Sequence, residues 1–355
     1  MKHEFTSHVL PTVSVLAPCR NEVDFIRDAI QSILDNDHPS ELVEILVLDG
    51  MSTDGTREIV REISVDNPNV RLVDNPHKIV PTAMNIGIKE AKGEYIIRID
   101  SHAEFANDYI SKCIEVSRRT QAANVGGYWQ TLPGADSRTA RAIMLATTSR
   151  FGVGNSTFRT SCDVEKEADT VPFGTFRKSL FEEVGPFDER LVRNQDIEMN
   201  SRIRKSGGKI IISPEIRLSY FNRATFPGIW QQSFNNGLWN PYTIWLTGSS
   251  LQARHFIPLA FVLGIMALSV GVLFHKMFLV GLIGYLLLYS SCALTAAFRQ
   301  RPEKNNTTIP LVLSSFFVLH FAYGLGSLWG VVTIPIRFPH RASLKVGQAI
   351  PDRRK

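Results

Sequence analysis

Residues 256–274 and 277–298 hold no charged side chain, and only His275-Lys276 stand between them. As helices these two runs would measure roughly 28–33 Å, which matches a bilayer hydrocarbon core of about 30 Å. So short a connection makes them a hairpin. A third apolar run, 309–334, contains Gly324, Gly326 and Gly330, which would let helices approach closely. The chain therefore divides into residues 1–250, a membrane region over 256–336 and a basic tail, 337–355. The segment 226–250 carries Trp230, Trp239, Tyr242 and Trp245, the expected aromatic belt of an interfacial stretch. With residues 1–250 in the cytoplasm, three crossings would leave the basic tail outside, against the positive-inside tendency. The tail is left unassigned.

The formal net charge is +5 and the basic clusters RPEK, HRASLK and RRK lie at the carboxyl end. That distribution suits an anionic membrane surface and gives no nucleic-acid footprint. Cys19, Cys113, Cys162 and Cys292 form no CxxC pair, as expected for reduced thiols in a cytoplasmic protein. The amino terminus, MKHEFTSHVLPTVSV, lacks an apolar signal core.

Residues 13–17, 43–48, 70–73 and 96–99 are short apolar strands, each followed by an amphipathic stretch or a polar turn. Such alternation predicts an α/β fold with a doubly wound, mostly parallel sheet whose strand ends share one edge. Polar chemistry gathers at those ends: Pro18-Cys-Arg-Asn-Glu22, Asp49-Gly-Met-Ser-Thr-Asp54, His77-Lys78 and Asp100-Ser-His102. Ser52, Thr53 and Gly55 have the composition of a helix cap. Asp49 closes its strand before that cap, where a carboxylate can accept hydrogen bonds from a ribose or a base edge. No glycine-rich phosphate loop is present, so a diphosphate would need a metal and side-chain cations. On an extended strand Asp100 and His102, at i and i+2, would point the same way and could share one divalent cation.

Five segments in order, VSVLAPCRNE, VLDGMSTDGT, TAMNIGIKEAKGEYIIRID, VPFGTFRKSLFEEVGPFDE and RNQDIEMNSRIRKSGGKI, resemble glycosyltransferase family 2. That group comprises inverting, nucleotide-sugar-dependent enzymes of the GT-A fold. DSHA at Asp100 and FGVGNSTFR at 151–159 are similar to motifs of its succinoglycan-type exopolysaccharide members. The resemblance places Pro18, Asn21, Glu22 and Asp49 on the nucleoside, and Lys78 near the base or phosphates. It puts Asp100 and His102 on the metal of the diphosphate. His102 stands where the family's DxD motif has its second aspartate. Imidazole suits Mn2+ better than Mg2+, so the metal preference is open.

Residues 133–170 are polar and glycine-rich, the composition of an acceptor-side loop in which Arg150, Arg159 and Lys166 could meet an acceptor phosphate. By resemblance, Gly174 and Thr175 shape the donor-sugar pocket, with Gln195 and Gln232 beside it. Asp196 matches the family's general base, although Gln195 replaces the usual preceding glutamate; Glu198 is the reserve base. The QxxRW motif of processive synthases is absent after Gln231, which implies single-sugar addition. The reading that results is a multi-pass membrane enzyme with a cytoplasmic GT-A domain, of a bacterial or archaeal inner membrane. With a divalent metal it would move a sugar, from UDP in the first instance, to a lipid-linked polyprenyl saccharide. Alternatives are a polyprenyl-phosphate sugar synthase and an inactive nucleotide-binding scaffold.

Overall fold

The computed structural model describes residues 10–160, 163–248, 251–300 and 308–338. Cys162 and most of the basic tail lie outside them. The chain forms two units: one contains Met1–Gly127, Glu165–Phe187 and Arg202–Leu218, the other Tyr128–Val164, Asp188–Ser201 and Ser219–Lys355. This differs from a boundary near residue 250, because three stretches of the expected catalytic region belong to the unit that carries the apolar helices.

The first unit begins with β1 (Val13–Cys19), α1 (Ile26–Leu34), β2 (Val43–Asp49), α2 (Thr56–Asp66), β3 (Val70–Asp74), α3 (Val80–Glu90) and β4 (Tyr95–Arg98). These strands pair in parallel in the order β3-β2-β1-β4, as the alternating pattern predicts. Ile45, Leu46, Val47 and Leu48 are all fully buried, so β2 is covered on both faces, as its continuous apolar sequence requires. The segment expected to run straight through Asp100 and His102 breaks after Arg98. Residues 99–102 form a turn, and β5 (Ala103–Phe105) begins beyond it. Asp100 and His102 are therefore turn residues, and their convergence has a cause other than strand alternation.

After α4 (Tyr109–Thr120) comes β6 (Asn124–Leu132). The stretch 133–170, expected as a polar loop, carries α5 (Arg138–Thr148), α6 (Arg150–Val153), α7 (Thr157–Thr160) and the two-residue β7 (Lys166–Glu167). Ser137 caps α5 by accepting from the Ala140 N–H. Ala142 and Ala146 of α5 enter an apolar cluster with Val312 and Phe316, and Leu145 packs against it. β8 (Thr175–Arg177), α8 (Leu180–Val184), α9 (Gln195–Lys205) and β9 (Ile210–Phe221) follow. β8 lies antiparallel to β4 and β6 and extends the sheet to β3-β2-β1-β4-β8-β6-β9-β5. The sequence pattern does not mark β9, whose twelve residues are interrupted by Ser213, Pro214 and Glu215.

In the second unit α10 (Phe226–Thr247) packs along α13 (Ile309–Arg337), and α11 (Ile257–Val272) and α12 (Met277–Arg299) form the expected hairpin. Glycines on both sides permit the α10–α13 approach. A Cβ on Gly237 would strike the Tyr323 carbonyl, and one on Gly326 the Phe234 carbonyl. Three helices are long and apolar enough to cross a membrane. Only 6% of the most apolar window of α12 is buried against protein, but 44% of that in α13; the third helix is partly enclosed. Trp239 and Tyr242 are 5% and 1% exposed and pack with Leu191, Leu246 and Phe338. They belong to the core and not to an aromatic belt. Trp230 remains exposed.

Candidate active site

The turns after β1 and β2 are laced together. The Asn21 N–H donates to Ser52 Oγ (2.8 Å), Glu22 N–H to Thr56 Oγ1 (2.8 Å) and Val23 N–H to Asp54 Oδ2 (3.1 Å), while Asn21 Oδ1 accepts from Thr53 N–H (3.0 Å). The residues with the composition of a cap thus brace the neighbouring turn; the N-cap of α2 itself is Gly55, at φ +102°. Asn21, Met51 and Lys78, each just past a parallel strand, hold left-handed backbone at φ 55°, 58° and 62°. Such conformations cost roughly 1–3 kcal/mol each and persist where the surroundings over-determine them. The hydrogen-bonded lacing over-determines the first of them. Lys78, exposed, is held by its N–H to the Asn75 carbonyl (3.1 Å).

Beyond β4 the His102 N–H donates to Asp100 Oδ1 (3.1 Å), closing an Asx-type turn. This turn, and not a strand, brings His102 Nδ1 to 3.4 Å from Asp100 Oδ1. On the other side His102 Nε2 lies 3.4 Å from Glu22 Oε2, and the ring rests on Phe25 at 4.5 Å between centroids. Burial works to raise the Asp100 pKa, but the hydrogen bonds and charge of His102, helped by Arg98, hold the carboxyl below its ordinary range.

Two ligands of one cation at metal–ligand distances near 2.1 Å stand about 3 Å apart when adjacent in an octahedron. The Asp100–His102 spacing fits that with little adjustment, and Glu22 faces the ring nitrogen turned away from Asp100, where a second carboxylate would fix the tautomer. Among the described residues no three carboxylate, histidine or cysteine side chains gather into a cage. Two ligands on an open site suit a cation whose other positions go to phosphate oxygens and water.

Other expected positions fare differently. Asp49 ends β2 with 0% exposure; its oxygens accept from the Ser52 N–H (3.0 Å) and from Arg57 Nη1 (2.5 Å), and Arg57 also binds Asp74 (2.7 Å). A nucleoside could reach Asp49 only if the Arg57 bridge opened. Pro18 is half-buried within β1. Gly174 and Thr175 do not face an open pocket: Thr175 is 0% exposed and pairs with Ile97 and Val125. The Gly174 carbonyl accepts from the Arg98 N–H (3.1 Å), and a Cβ there would meet the Asn124 amide. Their place is in the sheet register.

In the second unit Asn194 adopts φ +63° and donates to Asn240 Oδ1 (3.1 Å) and Thr243 Oγ1 (3.2 Å). These contacts fix the entry to α9, whose first turn holds Gln195 and Asp196. Asp196 is half-buried, while Gln195 and Glu198 are 7% and 4% exposed, so Asp196 is the better placed of the two carboxylates to meet a substrate. Gln232 is half-buried on α10. Sequence reasoning passes over Phe25, Arg57 and Arg98. The last has a signal, an arginine inside the apolar run IIRID.

The sequence profile described as Glycosyl transferase family 2 matches residues 14–185. The succinoglycan biosynthesis protein ExoA of Rhizobium meliloti is 32% identical over 225 residues, 63% of this chain and 67% of that protein. A Methanococcus voltae protein is 28% identical over 236 residues, 63% of this chain and 71% of its own length. It is named dolichyl N-acetyl-alpha-D-glucosaminyl phosphate 3-beta-D-2,3-diacetamido-2,3-dideoxy-beta-D-glucuronosyltransferase. Among solved structures, a mannosyltransferase of Pyrobaculum calidifontis in complex with GDP-Man and Mn2+ superposes with a TM-score of 0.61 at 18% identity, covering 91% of this chain and 88% of that one. That likeness establishes a GT-A fold.

Proposed function

The chain belongs to glycosyl transferase family 2, and from that premise we propose that it is an inverting, metal-dependent enzyme that moves a sugar from a nucleotide diphosphate to a lipid-linked saccharide during surface polysaccharide or glycan synthesis. The observation that carries this reading is the Asp100–His102 pair, closed by its own turn and backed by Glu22, at the carboxyl ends of the parallel strands. Support for a lipid-linked acceptor comes from the three long apolar helices and from the Methanococcus relative, named for a dolichyl-linked substrate.

Asp100 and His102 are the residues that would hold a divalent cation, which when bound neutralises charge on the departing diphosphate. The laced turns carrying Asn21 and Lys78 position the nucleotide. Asp196 accepts the proton of the acceptor hydroxyl as that oxygen bonds to the anomeric carbon; the bond to the diphosphate oxygen breaks on the opposite face, and the configuration inverts. Base catalysis of this kind contributes roughly 10²–10⁴-fold. The catalytic part faces the cytoplasm in this scheme, and UDP-sugars are the first donors to examine.

The test uses the full-length protein in membranes with labelled nucleotide sugars and extracted lipid-linked saccharides, the product being analysed by mass spectrometry and its anomeric configuration by NMR. Asp196→Asn should lower turnover by about 10²–10⁴-fold at unchanged nucleotide affinity. Undiminished transfer by that variant would remove Asp196 as base, and a retained anomeric configuration would remove the direct displacement. A product in which sugar is joined directly to a polyprenyl phosphate would replace the saccharide acceptor with the lipid phosphate itself.

A further inference from the structure

Four arginines of the second unit differ in how their charge is met. Arg190 is held in a fork by Asp188, through Nε to Oδ1 (2.9 Å) and Nη2 to Oδ2 (2.6 Å). Among the described residues Arg159, Arg193 and Arg223 make no ion pair. Arg159 lies over Trp129, 4.7 Å from guanidinium to ring centroid, with Phe158 at 5.5 Å and Tyr220 at 5.8 Å. Trp129 and Tyr220 are themselves stacked at 4.1 Å. Arg193 donates to Asn236 Oδ1 (3.0 Å) on α10. Burial pushes the guanidinium of Arg159 down, and burial followed by the like charge of Arg223 does the same to Arg193. Arg159 and Arg193 are half-buried and Arg223 is exposed, so an aromatic contact worth about 0.5–2 kcal/mol meets only part of the cluster's charge. Such a group calls for an anion.

The residue after Arg193 leads to an apolar slot. Asn194 is hydrogen-bonded to Asn240, and Asn240 forms the polar edge of a cavity of about 280 Å³ whose walls include Ile244, Trp245, Leu259, Val331 and Ile334. A cavity of about 150 Å³ takes one benzene, so this one has room for roughly two isoprene-sized groups. A cationic cluster joined by two asparagines to an apolar slot among α10, α11 and α13 complements an amphiphile with a phosphate head and a branched hydrocarbon tail.

We propose that Arg159, Arg193 and Arg223 seat the phosphate or diphosphate of a polyprenyl-linked acceptor, and that the slot beside Asn240 takes the first isoprene units of its chain. The inference rests on the lipid-linked reading above and assigns that acceptor its subsite.

The experiment uses full-length protein in detergent, without donor or metal. Geranylgeranyl diphosphate, inorganic diphosphate and uncharged geranylgeraniol are titrated in turn, with tryptophan fluorescence and calorimetry as readouts. Geranylgeranyl diphosphate should bind tightest. The double variant Arg159→Gln, Arg193→Gln should weaken it by about ten- to a hundred-fold for each charge-assisted hydrogen bond removed, with nucleotide affinity unchanged. The corresponding lysine variants should recover part of that affinity, which a merely misfolded protein would not do. Val331→Trp, which fills the slot, should weaken geranylgeranyl diphosphate and leave inorganic diphosphate untouched. Equal binding by wild type and the glutamine variant overturns the proposal. So does inorganic diphosphate binding as tightly as the lipid, which would make this a site for a free anion. Transfer to a lipid-linked saccharide with an unchanged KM in the double variant would sink the subsite and leave the function standing. Intact prenyl diphosphate binding with no transfer to any lipid-linked saccharide would do the reverse.

Discussion

Glu22→Gln separates two roles for that carboxylate, as a contact to the nucleoside or as the partner that orients His102. Oε2 stands 3.4 Å from His102 Nε2 while Nδ1 faces Asp100 at the same distance, and the His102 and Glu22 side chains are 16% and 20% exposed. Full unit charges at 3.4 Å would interact by about 5 kcal/mol at an effective dielectric of 20. A neutral imidazole bound to a cation carries only part of that charge, so the smaller empirical effect applies: removing the outer carboxylate weakens metal affinity by about 10–100-fold, or about 1.4–2.8 kcal/mol. The amide can still accept the ring N–H, so the Phe25 contact and the turn survive. Initial rates against Mn2+ concentration at saturating donor should show half-saturation rising by about 10–100-fold, with kcat at saturating metal little changed. Nucleotide affinity in chelator should equal wild type. If half-saturation holds and metal-free nucleotide affinity falls instead, Glu22 belongs to the nucleoside and His102 is oriented by Asp100 and Phe25 alone.

Two further outcomes concern the frame of the site. Gly326→Leu drives a side chain into the Phe234 carbonyl across the α10–α13 contact, and overpacking of this kind costs about 1–3 kcal/mol or more. The melting temperature of the purified protein should drop by several degrees, and an unchanged value would mean that the two helices can separate freely. At the laced turns, slight desolvation works to raise the Asp54 pKa, but the Thr56 hydroxyl and N–H and the Val23 N–H outweigh it and keep the carboxyl low. A depressed pKa gives stability that is present above the unfolded value near 3.9 and disappears as pH falls through the folded one. Asp54→Asn should therefore lower the melting temperature at pH 7 and narrow its gap to wild type below about pH 4; a gap constant down to pH 3 would contradict this.

The parallel half of the sheet was legible because β1, β2 and β4 are almost wholly buried runs of apolar residues with helices between them, a pattern few other folds share. Asp100 and His102 were legible as two neighbouring polar residues but not in their geometry, since the letters DSHA do not say whether the strand continues or turns there. Asp49, Gly174 and Thr175 were found as positions while their contacts were not: whether a carboxylate faces solvent or Arg57 depends on a residue eight further along. β9 and α5 were missed for opposite reasons. Polar and proline breaks hid the first, and the second owes its helix to apolar partners on α12 and α13 far away in sequence.

That dependence bears on what the apolar helices do. If they were only an anchor, the catalytic part would close its core before residue 250. Instead Ala142 and Ala146 are covered by Ala293, Ala297, Ile309, Val312 and Phe316, while Leu191, three residues before Asn194, is covered by Trp239, Tyr242 and Phe338. The turn that presents Asp196 therefore rests on a core to which the end of α13 contributes, whereas the Asp100–His102 pair belongs to the unit built from the parallel sheet. In the proposed scheme the cation pair and the base thus reside in different packing units, and the base lies in the one built with the apolar helices. If the acceptor is held in the bilayer as proposed, that division keeps the base, anion seat and slot of the proposal in the same packing unit as the long apolar helices.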